Sequence, residues 1–252
     1  MAVDIKGRFV FLNRNGTERM GNASAYVARK GKNRVNNKVG CLVIHGFGGN
    51  VKDVAPLASC LTNQGYKVFC PSLNNDWTAE EGLLSLLVDC DVVYIIGFSM
   101  GGLLAINLGL KQKHNIGGIV TVNTPIFYMN IKRAFLNSVN VLIRKDFKTI
   151  SHNIKASRTL PFSSLLNFML LVKATKPRIK RLSCPIFVAQ AIDDPIVRKS
   201  SANYIFQRTG SQIKRLEFYD STEHLILLSP EGDLVIKHII EFISCLVQGG
   251  KY

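Results

Sequence analysis

Acidic residues are scarce in this sequence, and so are linkers and repeats. Asp and Glu number 17 against 32 Lys and Arg, which gives a net charge of +15 at neutral pH. No Pro/Gly/Ser-rich stretch divides the chain, and no internal repeat is visible. With 252 residues, 47% of them hydrophobic, the chain can bury one sizeable core. We predict a single domain over residues 1–252, and the composition excludes disordered and collagen-like classes.

Paired cysteine motifs and a secretory leader are also missing. None of the six cysteines forms a C-x-x-C pair, and Cys41, Cys90 and Cys184 lie in or beside apolar runs, where a free thiol behaves as a small hydrophobe. The N-terminus has no apolar segment leading to a small-residue cleavage site, which argues against secretion. We therefore expect a reducing, cytoplasmic environment.

The longest uncharged stretch, residues 92–110, has the length of a membrane span but contains Gly97, Ser99 and Asn107. It is better explained as a strand, a turn and a helix. Along the chain, short apolar runs alternate with longer amphipathic ones, which is typical of a mostly parallel sheet with helices on both faces. The predicted strands are 7–12, 24–28, 39–45, 66–71, 91–97, 116–122, 184–190 and 213–219, and the predicted helices are 51–64, 78–88, 100–113, 199–209 and 232–247. Residues 125–182 interrupt this alternation and predict a small helical insertion.

The motif with the clearest chemistry is Gly97-Phe98-Ser99-Met100-Gly101, which fits G-x-S-x-G. A buried strand precedes it and a helix follows it, so the motif predicts a sharp strand-to-helix turn that exposes a nucleophilic Ser99. A serine in a glycine-rich packing turn is the structural alternative.

A nucleophilic serine needs a base and an orienting acid, which follow it here in the order acid, then histidine. His224 stands in a polar loop between a strand and the terminal helix, whereas the other four histidines lie before Ser99, at the end of its helix, in the insertion or inside the last helix. His224 is therefore the candidate base. The strand 184–190 runs into Asp193-Asp194-Pro195, where we prefer Asp194 as the acid and keep Asp193 as the alternative.

Acyl transfer also needs donors for the oxyanion, usually backbone N–H groups. The N–H of Met100 is one candidate, and the N–H of Phe47 in the loop Gly46-Phe47-Gly48-Gly49 is the other. His45, at the preceding strand end, is expected to brace this loop. A phosphate-binding loop is disfavoured because the Lys-Ser/Thr ending is missing.

With these motifs the sequence resembles the α/β-hydrolase superfamily, and in particular small bacterial carboxylesterases and monoacylglycerol lipases, over about residues 39–247. The resemblance implies Ser99 as nucleophile, Asp194 and His224 as its partners, Phe47 and Met100 as oxyanion donors, and the insertion as a lid. Relatives often carry Gly-His-Gly where this chain reads SLNNDWT from Ser72, and Gly before the histidine where Glu223 stands. The wall of the site that this segment forms near Ser72 is therefore expected to differ from that of the relatives.

The expected function is hydrolysis of small carboxylic esters with short to medium acyl chains, or of monoacylglycerols, through an acyl-enzyme, with no metal or organic cofactor. Apolar residues of the insertion are expected to line the acyl pocket or to pack on the core; they are Phe162, Leu165, Leu166, Phe168, Met169 and Leu170. The alternatives are a thioesterase or acyltransferase with the same triad, and a noncatalytic module that binds an anionic surface.

The positive charge is concentrated in two segments. Residues 127–181 contain twelve Lys/Arg and one acidic residue, so they carry +11, and residues 1–40 carry +7. Nucleic-acid binding is not predicted, because the basic residues of the insertion do not alternate with aromatics as a stacking platform would. Peripheral contact with an anionic membrane surface is one expectation; charge that only aids solubility is the other.

Overall fold

A computed structural model describes residues 2–3, 9–10, 39–73, 79–112, 115–128 and 162–249. The predicted strand 24–28 and residues 129–161 of the predicted insertion lie outside the described residues, as do His114 and His152. Two short strands, β1 (Ala2–Val3) and β2 (Phe9–Val10), pair with each other in antiparallel orientation. The second of these falls within the predicted strand 7–12.

The remaining strands form a parallel sheet. They are β3 (Val39–Ile44), β4 (Lys67–Phe69), β5 (Val92–Phe98), β6 (Ile116–Val122), β7 (Ile186–Ala191) and β8 (Lys214–Tyr219). Their order is β4-β3-β5-β6-β7-β8, and every neighbouring pair is parallel. The mostly parallel sheet predicted from the alternating hydrophobic pattern is confirmed.

Six α-helices accompany the sheet in the described part of the chain: α1 (Ala55–Asn63), α2 (Ala79–Asp89), α3 (Met100–Lys111), α4 (Phe162–Thr175), α5 (Ser200–Arg208) and α6 (Gly232–Val247). The helix predicted over 51–64 is divided, because Val51–Val54 forms a 3-10 turn before α1. Pro56 lies in the first turn of α1. It has no N–H to donate to a carbonyl four residues earlier, so the α-helix cannot extend back through it.

Helices cover both faces of the sheet and bury two hydrophobic clusters. On one face α1 and α6 contribute fully buried side chains such as Leu57 and Phe242. On the other face α2, α3 and α5 contribute Leu83, Ile106 and Ile205. A strand that is buried on both faces reads as a continuous apolar run, which explains why the core strands were evident from the sequence.

The register of the sheet aligns the carboxyl ends of β5, β6, β7 and β8. Phe98 lies opposite Val122, Val122 opposite Ala189, and Ala191 opposite Tyr219. Residues that follow these strands therefore meet at one edge, which is where ligands bind in parallel α/β sheets.

Residues 92–110 form β5, the turn at Ser99 and most of α3, as predicted. Across the described segments, no helix combines the length and the apolar character that crossing a bilayer requires.

All six cysteines are free thiols, and Cys41, Cys70 and Cys90 are buried. Burial raises the pKa of Cys70 to about 12 and that of Cys184 to about 11.

Candidate active site

Ser99 occupies a strained turn between β5 and α3. Its backbone angles are φ 53° and ψ −121°, a region that a residue with a side chain seldom adopts. The turn is possible because its neighbours are glycines: a Cβ on Gly97 would lie 2.1 Å from the carbonyl oxygen of Gly101, and one on Gly101 would lie 2.3 Å from that of Ile44. The packing requires the glycines on both sides of Ser99, in agreement with the predicted elbow.

The side chains of Ser99, His224 and Asp194 form a continuous hydrogen-bonded relay. The Nε2 atom of His224 lies 3.0 Å from the Ser99 Oγ, and its Nδ1 lies 2.7 Å from the Asp194 Oδ2. Because an ionised carboxylate can only accept, Nδ1 carries the proton and donates it to Asp194, which leaves Nε2 to accept from the serine hydroxyl. The structure thus brings together the three residues selected from the sequence.

The two adjacent carboxylates have different surroundings. Asp194 is 3% exposed, and its Oδ1 accepts hydrogen bonds from the N–H groups of Ile196 (2.7 Å) and Val197 (2.9 Å). Asp193 is exposed. The side chain that contacts His224 is therefore that of Asp194, the preferred of the two candidates.

The His224 ring is fixed from two further directions. It packs against the Phe98 ring with centroids 5.1 Å apart. The backbone carbonyl of His224 accepts a hydrogen bond of 2.8 Å from the side chain of Asn123, a residue that the sequence analysis did not select. Its signal was a polar residue directly after a buried core strand.

The loop after β3 lies against the nucleophile. A Cβ on Gly46 would lie 3.1 Å from the Ser99 Cβ, so the backbone of this loop approaches the serine closely. Phe47 follows in the turn that the Gly49 N–H closes onto the Gly46 carbonyl (3.2 Å). Met100 is the first residue of α3, where backbone N–H groups have no carbonyl partner within the helix. Both predicted oxyanion donors thus belong to backbone that flanks Ser99.

His45 braces this loop, as expected. It is buried, its Nδ1 is 2.8 Å from the Gly46 carbonyl, and its Nε2 accepts a hydrogen bond from the N–H of Leu73 at 3.2 Å. Burial lowers the pKa of His45, which favours the neutral ring that this arrangement requires.

Helix α4 supplies an aromatic side chain next to the candidate site. The Phe168 ring lies 5.8 Å from the Phe47 ring and 6.2 Å from the Tyr128 ring. Three other apolar residues of the helix are exposed: Leu166 by 45%, Met169 by 41% and Leu170 by 51%. These three residues therefore do not pack into the core, whose contacts with α4 are made by other residues such as Val172. That they line an acyl pocket stays a prediction.

The end of α4 is joined to the nucleophile helix by polar contacts. The Asn107 Nδ2 donates to the Thr175 Oγ1 at 2.5 Å and to the Leu103 carbonyl at 2.8 Å, and an Arg178 guanidinium nitrogen donates to the Asn107 Oδ1 at 3.2 Å. Thr175 is fully buried. The position of α4 is thereby coupled to that of α3.

Within the described ranges, no group of His, Cys, Asp and Glu side chains is arranged to hold a metal ion. His238 does not contribute to the candidate site, because its Nδ1 pairs with the hydroxyl of Tyr219 at 3.0 Å.

The chain is similar to known proteins in sequence and in fold. A 28% identical relative, over 230 residues, is a thermostable monoacylglycerol lipase of Bacillus sp. (strain H-257); the match covers 83% of this chain and 92% of the relative. A carboxylesterase of Bacillus subtilis (strain 168) is 25% identical over 229 residues, with 81% and 92% covered.

Among solved structures, a soluble variant of the Saccharomyces cerevisiae monoglyceride lipase superposes with a TM-score of 0.68 at 18% identity, covering 91% of this chain and 94% of that one. A metagenome-derived lipolytic enzyme also reaches 0.68, at 22% identity with 88% and 97% covered. These two likenesses confirm the α/β-hydrolase fold. The family model described as serine aminopeptidase, S33, matches residues 89–231. The chain therefore belongs to the serine aminopeptidase S33 family and has the α/β-hydrolase fold.

Proposed function

We propose that this protein is a serine-dependent carboxylic ester hydrolase that acts on esters with short to medium acyl chains or on monoacylglycerols. The observation that carries the proposal is the relay from Asp194 through His224 to Ser99, with the serine held in a strained turn at the edge of a parallel sheet. Its similarity to a bacterial monoacylglycerol lipase and a bacterial carboxylesterase supports ester substrates.

In this mechanism the Nε2 of His224 takes the proton of the Ser99 hydroxyl while the Oγ attacks the ester carbonyl carbon. Asp194 stabilises the imidazolium that forms. When the tetrahedral intermediate collapses, the bond to the alcohol oxygen breaks and His224 gives that oxygen its proton. A water molecule then attacks the acyl-enzyme with His224 as base, and Ser99 regains its proton as the acid product leaves.

The N–H groups of Phe47 and Met100 are the proposed donors to the oxyanion. Two observations support this proposal: the backbone of Gly46, next to Phe47, approaches Ser99 closely, and Met100 follows Ser99 at the start of α3. Donors held in this way would need little reorganisation when charge develops. The phenyl ring of Phe47, together with Phe168 and Tyr128, would present apolar surface to an acyl chain.

We further propose that residues 1–252 form one hydrolase domain in which residues 125–182 act as a lid, and that this lid contacts anionic lipid surfaces. The exposed Leu166, Met169 and Leu170 on α4 favour contact with a lipid surface. They lie close in sequence to the exposed cations Lys173, Lys180 and Arg181. An apolar patch next to positive charge is suited to the boundary between lipid headgroups and acyl chains.

A serine-directed fluorophosphonate probe tests the catalytic proposal. Wild-type protein should be labelled and should hydrolyse a p-nitrophenyl acyl ester, whereas Ser99→Ala should do neither and should keep its circular dichroism spectrum. Removing a triad nucleophile costs several orders of magnitude in rate. Ester hydrolysis by Ser99→Ala within tenfold of wild type would refute the assignment. Faster hydrolysis of matched acyl thioesters would instead favour a thioesterase, and faster transfer of the acyl group to an added acceptor would favour an acyltransferase. If the wild-type protein is not labelled, a noncatalytic binder is favoured.

Vesicle co-sedimentation tests the lipid contact. Binding to vesicles with anionic lipid should weaken as salt rises, since the screening length shortens from ~10 Å at 0.1 M to ~3 Å at 1 M. Replacing Lys173, Lys180 and Arg181 with Gln should reduce binding and leave hydrolysis of a soluble short-chain ester unchanged. In the control variant, three lysines that are exposed elsewhere on the molecule are replaced with Gln, which gives the same change of charge; they are Lys67, Lys214 and Lys237. Equal loss in both triple variants would indicate an effect of net charge only.

A further inference from the structure

Asn123 connects the two loops that carry the acid and the base. It follows β6 directly and is completely buried. Its Oδ1 accepts a hydrogen bond from the N–H of Ala191, the last residue of β7, and its Nδ2 donates to the carbonyl of His224; both bonds measure 2.8 Å. One amide group thus contacts backbone three residues before Asp194 and the backbone of His224 itself.

The backbone of Asn123 is held in a conformation with φ 45°, in the left-handed region. A residue other than glycine seldom adopts this conformation, although Asn tolerates it better than most. The Asn123 N–H donates to the Ala189 carbonyl at 3.0 Å, which ties this turn to β7. From this turn the side-chain amide reaches both the end of β7 and the histidine loop.

The backbone hydrogen bonds between the acid turn and the histidine loop lie further from the imidazole. The Ile192 N–H donates to the Tyr219 carbonyl at 2.9 Å, and the Asp193 N–H donates to the Ser221 carbonyl at 3.2 Å. These bonds join the beginnings of the two segments, and the nearer one ends three residues before His224. The Asn123 Nδ2, in contrast, lies 2.8 Å from the carbonyl oxygen of His224 itself, and at the longer distance of 3.5 Å from that of Glu223.

We propose that Asn123 is a positioning residue, which fixes the distance between the acid loop and the base loop through one accepted and one donated hydrogen bond. This inference rests on the proposed function. The position requires a side chain that is donor and acceptor at once, and an amide of this length supplies both. An aspartate would keep the bond from Ala191 but would face the His224 carbonyl with a second acceptor.

The test uses three variants of the full chain. Asn123→Gly accommodates the positive φ and removes both side-chain bonds, so it separates the bonds from the backbone conformation. Asn123→Asp keeps one bond. Thr121→Val is the matched control, because Thr121 is fully buried on β6, two residues before Asn123, and its hydroxyl has no hydrogen-bond partner among the described residues. For each variant, active sites are counted by the burst of a fluorophosphonate or slow ester titrant, and kcat per titrated site and KM are measured.

We expect kcat per active site to fall by between ~10-fold and ~100-fold in Asn123→Gly and Asn123→Asp, with KM within about threefold of wild type, because a displacement of ~1 Å at the reacting groups costs up to ~100-fold. Wild-type protein should show a downfield NMR resonance for the Nδ1 proton of His224, which is hydrogen-bonded to Asp194, and in both Asn123 variants this resonance should broaden or disappear. Thr121→Val should keep both the resonance and kcat.

A purely structural role for Asn123 predicts a different result: fewer titratable sites and a lower melting temperature, with wild-type kcat per site and an unchanged resonance. That outcome would overturn the inference. If wild-type protein shows neither labelling nor ester turnover, the proposed function fails instead, so the two failures are distinguishable.

Discussion

Replacing Asp194 with Asn should reduce turnover far more than replacing its neighbour Asp193. The carbonyl oxygen of the introduced amide can still accept from the N–H groups of Ile196 and Val197, so the turn should keep its shape. The amide nitrogen would then face the Nδ1 of His224, where two donors cannot pair. The imidazole is expected to switch tautomer and to present an N–H to Ser99, which cannot then pass on its proton.

The size of the effect follows from the geometry. The carboxylate oxygen lies 2.7 Å from Nδ1, in a pair whose side chains are 0% (Asp194) and 12% (His224) exposed. At an effective dielectric constant of about 20, two unit charges at this distance attract by about 6 kcal/mol, and the small exposure of the ring reduces this to about 4–6 kcal/mol. Since each 1.36 kcal/mol is tenfold in rate, kcat should fall by ~10³-fold to ~10⁴-fold.

The assay is steady-state hydrolysis of a p-nitrophenyl acyl ester, with thermal melting measured alongside. Asp193→Asn is the matched control, because it makes the same charge change one residue away at an exposed position. It should keep kcat within about threefold. Equal losses in both variants, or a larger loss in Asp193→Asn, would refute the assignment of Asp194.

Two further predictions concern the frame around the site. Gly97→Ala should yield no soluble folded protein, because the new Cβ would lie 2.1 Å from the backbone oxygen of Gly101. The control is Gly118→Ala, whose new Cβ would lie 3.2 Å from the Pro185 carbonyl oxygen; its melting temperature should be much closer to that of wild type. The free energy of unfolding in urea should fall as the pH drops below 6.5, because burial lowers the pKa of His45 and the unfolded state binds the proton first. His45→Gln should make this pH dependence shallower, and an unchanged slope would contradict the explanation.

Ser99 and His224, the proposed nucleophile and base, could be selected from the sequence because their signals are local. Close packing around the turn at Ser99 requires glycine at 97 and 101, and the motif displays both. His224 was found by its place between a strand and a helix. The oxyanion loop was likewise marked by its glycines after an apolar strand.

The choice of acid and the role of Asn123 depend on contacts between distant segments. The sequence could rank Asp194 above Asp193 but could not exclude Asp193, since only the folded turn after β7 shows which carboxylate is buried against His224. Asn123 contacts Ala191, which lies 68 positions later in the sequence, and His224, which lies 101 positions later. The pairing of β6 with β7 makes these contacts possible, and no short motif in the sequence indicates it. In the same way, the sequence showed that α4 is apolar but not which of its faces would be covered.

The buried thiols make the cysteines natural reporters of local opening. Cys41 lies within β3, Cys70 directly after β4 and Cys90 directly after α2, and burial raises the pKa of each of these thiols. Only a thiolate reacts quickly with an alkylating reagent, and here both inaccessibility and protonation suppress it. The rate at which these three side chains become alkylated would therefore measure how often the β4 side of the sheet opens, independently of whether the serine chemistry is intact.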